Sequence, residues 1–152
     1  PGVHRPRRHR RPVVTGPLRE DAGLASALAR AGRIYLTTWS RTGTAGTVPV
    51  WFMTRDGHLY FTTLRGSLKA RRIAADGRVA VHVGSREGPG FEGRAECVDD
   101  RPDLEREIVA YYKRRHPLLG RLFMARLIAR RLGTKESVLI RITPRDPGAP
   151  GA

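Results

Sequence analysis

The chain has 152 residues, 39% of them hydrophobic, which is enough for one domain with a core and too little for two domains of ordinary size. Its formal net charge is +15, but residues 1–12 carry +5 and residues 101–133 carry +6, whereas residues 13–100 carry only +3. Because the excess lies on a tail and an appended segment, it disfavours a dedicated nucleic-acid domain, and the arginines that interrupt the longest apolar stretch exclude a membrane span.

Both ends of the chain lack apolar periodicity and are predicted to be disordered. We expect a basic tail over residues 1–14, a single domain over residues 15–144, and a second tail over residues 145–152. No apolar stretch follows the basic start, which argues against a secretory signal and favours a cytoplasmic location. The single cysteine, Cys97, has no partner for an internal disulfide.

The domain begins with a predicted helix over residues 15–32. Thr15 is a candidate N-cap, Pro17 falls in the first turn, and Gly32 ends the periodic pattern. We expect this helix to lie against a sheet.

Strands follow the helix. The Asp56-Gly57 pair is a strong signal for a two-residue hairpin between the second and third of them. Alternation of apolar with polar or small residues predicts a second hairpin and a closing strand. The six predicted strands are residues 33–40, 47–55, 58–63, 78–85, 90–100 and 136–143.

Two helices are predicted as an insertion at residues 101–133, before the last strand. Asp100 is a candidate cap for the first helix, which ends at His116. In the second helix, roughly residues 118–132, arginines fall on several faces, so no clean core-facing stripe is predicted. The apolar face of the first helix consists of Leu104, Ile108, Tyr111 and Tyr112.

Six antiparallel strands interrupted by helices indicate a mainly β fold of the α+β type. A small closed or partly open barrel is the expected architecture, since closure removes exposed strand edges.

Pro49 lies inside the second predicted strand, where it cannot donate to a ladder, so this part of the strand should be an edge or a bulge. One interpretation is simple protection of an edge strand from aggregation. The other is a flat ligand laid along the strand, hydrogen-bonded by free backbone groups of Val50, Trp51 and Phe52. From the residues alone the first interpretation is favoured, because ligand pockets are few in any protein.

A short helix over residues 67–76 starts with cations, which face the positive end of the helix dipole. Ser67 is a good N-cap and Gly77 a natural C′ residue. An anion bound at the helix start would make these charges favourable, and the hydroxyls of Thr62 and Thr63 could add donors. The alternative is that an arginine-rich chain places arginine everywhere. The cations are Arg65, Lys69, Arg71 and Arg72.

Several aromatic residues and histidines are candidates for substrate packing or proton donation, although each is more often a core or interface residue. They are Tyr35, Trp39, Trp51 and His82, whereas His58 and His116 are expected to be solvated. No paired carboxylates, serine-histidine-aspartate order or metal-ligand spacing is recognisable, so no catalytic residue is assigned.

Five segments in register resemble the pyridoxamine-phosphate-oxidase-like split β-barrel family, and more narrowly its deazaflavin (coenzyme F420)-dependent oxidoreductase branch. They are "IYLTTW", "VPVWFM", "LYFTT", "GSLKARRIAADGRVAVHV" and "FEGRAECVDD". The resemblance covers about residues 18–100 and the closing strand, but not residues 101–133, whose role it leaves open.

The resemblance implies a cofactor site. In such proteins the lysine matching Lys69, with the serine matching Ser67, helps to bind the cofactor phosphate, and the strand matching Val48–Phe52 runs beside the flavin or deazaflavin ring. Arg72 stands where the family often has asparagine, a change that keeps the anion site. The cofactor-binding residues expected on these grounds are Val48, Pro49, Val50, Trp51, Phe52, Thr62, Thr63, Ser67, Lys69 and Arg72.

The same resemblance implies a homodimer with cofactor at the interface and hydride transfer from reduced F420 to a small electrophilic molecule, with FMN as the alternative cofactor. The positive charge suits the phosphate and polyglutamate of F420. The competing interpretation is a non-catalytic module that holds a flavin or tetrapyrrole, or that associates with nucleic acid through its basic segments.

Overall fold

We describe the fold from a computed structural model of the chain, which describes residues 22–116 and 123–145. The predicted basic tail, the start of the predicted first helix and residues 146–152 lie outside the described residues. None of the helices in the described part has the length and apolarity needed to cross a membrane.

The described residues form one seven-stranded antiparallel sheet and four helices. The sheet order is β2-β1-β5-β6-β7-β4-β3. The strands are β1 (Ile34–Trp39), β2 (Ala45–Val50), β3 (Met53–Arg55), β4 (His58–Leu64), β5 (Arg78–Val83), β6 (Gly90–Val98) and β7 (Ser137–Pro144). The helices are α1 (Ala22–Arg30), α2 (Leu68–Ala75), α3 (Pro102–Arg115) and α4 (Ala125–Gly133).

The two edge strands of this sheet, β2 and β3, are consecutive in the chain. Only Trp51 and Phe52 separate them, and three residue steps span at most about 11 Å. The sheet must therefore curl until the end of one edge strand comes close to the start of the other, which gives the partly open barrel that was one of the two expected forms. Six strands were predicted because residues 47–55 read as one; the chain instead leaves one edge and joins the other at Trp51.

One apolar core fills the inside of the curled sheet. Alternate residues of β1 and β5 point into it, and Ile34, Leu36, Val79 and Val81 are fully buried. Helix α1 covers one part of this core with Leu24 and Leu28, so the prediction that the first helix lies against the sheet is confirmed.

A second core lies between α3 and the strands β3, β4 and β7. The predicted apolar face of α3 is confirmed at Leu104, Ile108 and Tyr112, which are buried there. The predicted cap is wrong: Arg101 occupies the N-cap position without a side-chain cap bond, and Asp100 has a φ of 59° and pairs with Lys135 instead.

Gly77 has a different role from the C′ residue predicted for it. Helix α2 ends at the extended residue Asp76, whose carboxylate accepts a hydrogen bond from the Arg78 N–H, and Gly77 does not adopt a positive φ. Its carbonyl accepts from the Ala95 N–H at 2.7 Å, and a Cβ on Gly77 would stand 2.7 Å from the Ala95 carbonyl oxygen. Close approach to β6 therefore requires glycine here.

Gly77→Ala should lower the free energy of unfolding by roughly 1–3 kcal/mol, because a backbone carbonyl must move to admit the methyl group. Denaturant unfolding followed by circular dichroism measures this. The matched control is Gly66→Ala, at an exposed position with nothing within 4 Å of the new Cβ, where stability should be unchanged or slightly raised. Equal effects of the two substitutions would contradict the crowding argument.

Candidate functional site

An open pocket of about 320 Å³ lies where the ends of β2 and β4, the start of α2, and α4 meet. This volume is at the lower end of the range for small-molecule sites. No aspartate or glutamate of the described residues lines it. Seven of the residues predicted to bind a cofactor do line it, namely Pro49, Val50, Trp51, Thr62, Thr63, Ser67 and Lys69.

The other three predicted residues do not line this pocket. Phe52 is only 2% exposed and packs in the barrel core, whereas Val48 lies on the edge strand and is 40% exposed. Arg72 lies one helical turn beyond Lys69, and its guanidinium group reaches Gly46 of β2. A Cβ added to Gly46 would be only 2.7 Å from a guanidinium nitrogen of Arg72. The Arg72 Nε is buried and has no hydrogen-bond partner among the described residues.

The start of α2 is built as predicted. The Ser67 side chain caps the helix by accepting from the Ala70 N–H at 3.2 Å, and its hydroxyl is 2.9 Å from that of Thr63. Lys69 follows in a first turn that has no acidic residue. Burial lowers the pKa of Lys69, and no carboxylate of the described residues pairs with it. The pocket thus holds hydroxyls and an uncompensated cation.

Helix α4 contributes a wall of the pocket that the sequence analysis did not predict. Residues 124, 127, 128 and 131 are spaced i, i+3, i+4 and i+7, so they form one helical face. This spacing was present in the sequence, but the arginines on other faces hid it. The lining side chains are Met124, Leu127, Ile128 and Arg131, with Tyr112 from α3.

Tyr112 connects α3 to the junction between β2 and β3. Its hydroxyl donates a hydrogen bond to the Trp51 carbonyl at 3.0 Å, and the two rings meet edge to face with centroids 5.5 Å apart. Burial raises the pKa of Tyr112, so the phenol stays protonated. The Trp51 carbonyl therefore already accepts a hydrogen bond, whereas the ligand interpretation of Pro49 expected this backbone group to be free.

The expectation that His116 is solvated is wrong. Its ring stacks on Trp51 with centroids 3.8 Å apart and planes at 8°, and its Nε2 is buried with no partner among the described residues. Burial and, secondarily, the charges of Arg115 and Arg33 lower the pKa of His116. The stacked ring holds the end of α3 against Trp51, which lines the pocket.

Acid should destabilise the protein through His116. Below pH 6.5, the ordinary pKa of histidine, the unfolded chain takes up a proton that the folded chain accepts only at lower pH. The free energy of unfolding therefore decreases as the pH is lowered through this window. His116→Phe keeps a flat ring against Trp51 and should remove this component. Unfolding curves of both proteins from pH 7.5 to 5 measure the difference; identical pH dependence would contradict the assignment.

A sequence profile described as pyridoxamine 5'-phosphate oxidase matches residues 21–145. The chain belongs to this family. No curated protein matches the chain.

Solved structures share the fold of this pyridoxamine 5'-phosphate oxidase family member. An F420 reductase is 25% identical with a TM-score of 0.55, covering 79% of this chain and 91% of that one. HutZ, the haem storage protein of Vibrio cholerae, is 14% identical with a TM-score of 0.64 and coverages of 86% and 92%. An FAD-binding protein of Mesorhizobium loti is 19% identical with a TM-score of 0.54 and coverages of 82% and 89%. These likenesses confirm the split β-barrel.

The remaining aromatic and histidine candidates of this family member do not line the pocket. Arg86 lies over the Tyr35 ring at 5.2 Å and Arg78 over the Trp39 ring at 4.0 Å. His82 Nδ1 is 3.2 Å from the Gly88 carbonyl, and His58 Nδ1 is 3.2 Å from the Thr143 hydroxyl. Within residues 22–116 and 123–145 no group of three or more histidine, cysteine or acidic side chains could hold a metal ion.

Proposed function

We propose that this protein binds a phosphate-bearing deazaflavin or flavin in the pocket and uses it for hydride transfer to a small electrophilic substrate. F420 is the favoured cofactor and FMN the alternative. One observation carries the proposal: in a fold of this family, Ser67 and Lys69 lie in the same pocket as residues 49–51, at the end of the edge strand β2.

The anionic part of the cofactor fits the α2 end of the pocket. Thr62, Thr63 and Ser67 offer hydroxyl donors, and Lys69 offers a charge that has no counter-ion in the described part of the chain. A phosphate would satisfy these groups and also the cationic start of the helix. The Nε of Arg72, one helical turn beyond Lys69, also has no hydrogen-bond partner among the described residues. It could donate to an anionic group of the cofactor that extends past the pocket lining.

The ring of the cofactor fits the β2 end. Pro49 lies on the edge strand, where it pairs with Tyr35 of β1 and leaves the other side of β2 without a partner strand. Val50 and Trp51 supply flat apolar contact, and Leu127 and Ile128 face them from α4. The bound cofactor would supply the hydride, and this chain would orient it and exclude water.

F420 is favoured over FMN on two grounds. The F420 reductase is 25% identical to this chain, above the FAD-binding protein at 19% and HutZ at 14%. The net charge of +15 also suits a cofactor with several carboxylates.

Haem storage is a second candidate because HutZ shares the fold. However, no histidine of the described residues lines the pocket. Haem would therefore need an axial ligand from elsewhere, so this function is disfavoured.

A homodimer would complete the site. The pocket is open, and several exposed large apolar side chains either line it or directly precede or follow a lining residue in the chain, with Phe123 76% exposed. Such a patch is expected to be covered by a second subunit. The exposed residues are Leu64, Leu68, Phe123, Met124 and Leu127. We further propose that residues 15–144 form the domain and that the protein acts in the cytoplasm.

Titration of the purified protein with F420 and with FMN, followed by absorbance and fluorescence, tests the cofactor. Micromolar binding of F420 with weaker binding of FMN is expected, and the reverse order would reassign the cofactor. Absence of micromolar binding for both would refute the proposed function. Turnover is then tested with reduced cofactor and a panel of enones, quinones and nitro compounds; tight binding without turnover would indicate storage.

A further inference from the structure

A second cation enters the pocket from α4. Arg131 is half-buried and lines the pocket that also contains Lys69. Neither side chain pairs with a carboxylate in residues 22–116 or 123–145. Two cations from different helices, neither of them in an ion pair, therefore line one pocket, and no aspartate or glutamate of the described residues lines it.

The position of Arg131 is fixed by the packing of its helix. Ala125 and Leu132 are buried under α4, and the Thr134 N–H closes its last turn by donating to the Arg130 carbonyl. The neighbouring Arg130 is exposed and does not line the pocket. Both arginines gain from the negative end of the helix dipole, so the dipole accounts for arginine in this turn but not for the orientation of Arg131.

We propose that Arg131 and Lys69 bind the same phosphate group of the ligand. A phosphate monoester, such as that of FMN, carries about −1.5 to −2 charges at pH 7, which two cations neutralise. The planar guanidinium of Arg131 can give two parallel hydrogen bonds to the phosphate oxygens, whereas Lys69 acts as a point charge. Helix α4 is then part of the anion site. The identity of the phosphate-bearing ligand rests on the proposed function, but the site for phosphate does not.

Inorganic phosphate is the first probe. At constant ionic strength, phosphate should raise the melting temperature of the wild type relative to chloride, because a ligand of the folded state stabilises it. Arg131→Ala should weaken the apparent affinity for phosphate about 10-fold or more, the loss expected for a charge-assisted hydrogen bond. Arg130→Ala, with the same charge change one residue away, should leave it within about twofold, since only screened surface charge is lost.

Arg131→Gln is the second variant. It removes the charge but keeps part of the aliphatic side chain, in case alanine disturbs the packing of α4. Equal phosphate affinity of the Arg131 and Arg130 variants would overturn the inference. So would a wild type that phosphate does not stabilise beyond chloride.

Ligand pairs that differ by one phosphate are the second probe. Arg131→Ala should weaken binding of FMN about 10-fold and leave that of riboflavin unchanged, because only the phosphate contact is lost. Equal weakening of both would assign Arg131 to another part of the ligand and overturn the inference. A wild type that binds phosphate through Arg131 but binds neither FMN nor F420 would retain the inference and refute the proposed function.

Discussion

Replacement of Lys69 by alanine is expected to weaken binding of F420 or FMN about 10- to 150-fold, the loss of one charge-assisted hydrogen bond of roughly 1.5–3 kcal/mol. The effect is large because the lysine is half-buried in the pocket, where burial already lowers its pKa. A desolvated cation without a counter-ion gains most from an anionic ligand. Equilibrium titration of the variant measures the change.

The same replacement should leave the fold intact. Lys69 has no ion pair among the described residues and lies at the positive end of α2, so its removal breaks no salt bridge in that part of the chain. The matched control is Lys113→Ala, an exposed lysine in the last turn of α3. If Lys69→Ala and Lys113→Ala bind the cofactor equally well, the phosphate assignment is wrong.

Tyr112→Ala is expected to lower the free energy of unfolding by about 3–5 kcal/mol, the usual cost of removing a large aromatic side chain from a core. Tyr112 is 2% exposed and is a fully buried member of the core beneath α3. Tyr112→Phe removes only the hydrogen bond to the Trp51 carbonyl and should cost about 0.5–1.5 kcal/mol. Denaturant unfolding gives both values.

The control for this position is the adjacent Tyr111→Ala. Tyr111 is half-buried on the same helix, so its removal should cost clearly less than that of Tyr112. Because Tyr112 contacts Trp51, its variants should also change tryptophan fluorescence of the folded state. Similar losses at Tyr111 and Tyr112 would contradict the role given to Tyr112 at the β2–β3 junction.

Most of the barrel was predictable because its strands and turns follow local rules. The Asp56-Gly57 turn has the positive φ angles, 51° and 77°, that the pair indicates. The break of residues 47–55 into β2 and β3 was not predictable, since each half is a good strand on its own. The break exists because the chain passes there from one edge of the curled sheet to the other, which is a property of the whole sheet.

The residues of the candidate site were likewise predictable only where local signals identify them. Residues 49–51 and 62–69 were identified from proline chemistry, helix capping and the family resemblance, all of which are local signals. The roles of Tyr112, of His116 and of the pocket-facing side of α4 were missed because they depend on packing across the barrel. The stacking of His116 on Trp51 joins positions far apart in sequence, and no local pattern distinguishes such a histidine from a solvated one.

The position of β7 has a consequence for the order of folding. This strand lies between β6 and β4, so it joins the sheet half that contains β2, β1, β5 and β6 to the half that contains β4 and β3. The two halves cannot become one sheet until residues 137–144 have left the ribosome. During synthesis the nascent chain therefore exposes the edges of both β6 and β4, and the barrel cannot form before the chain has been made through residue 144.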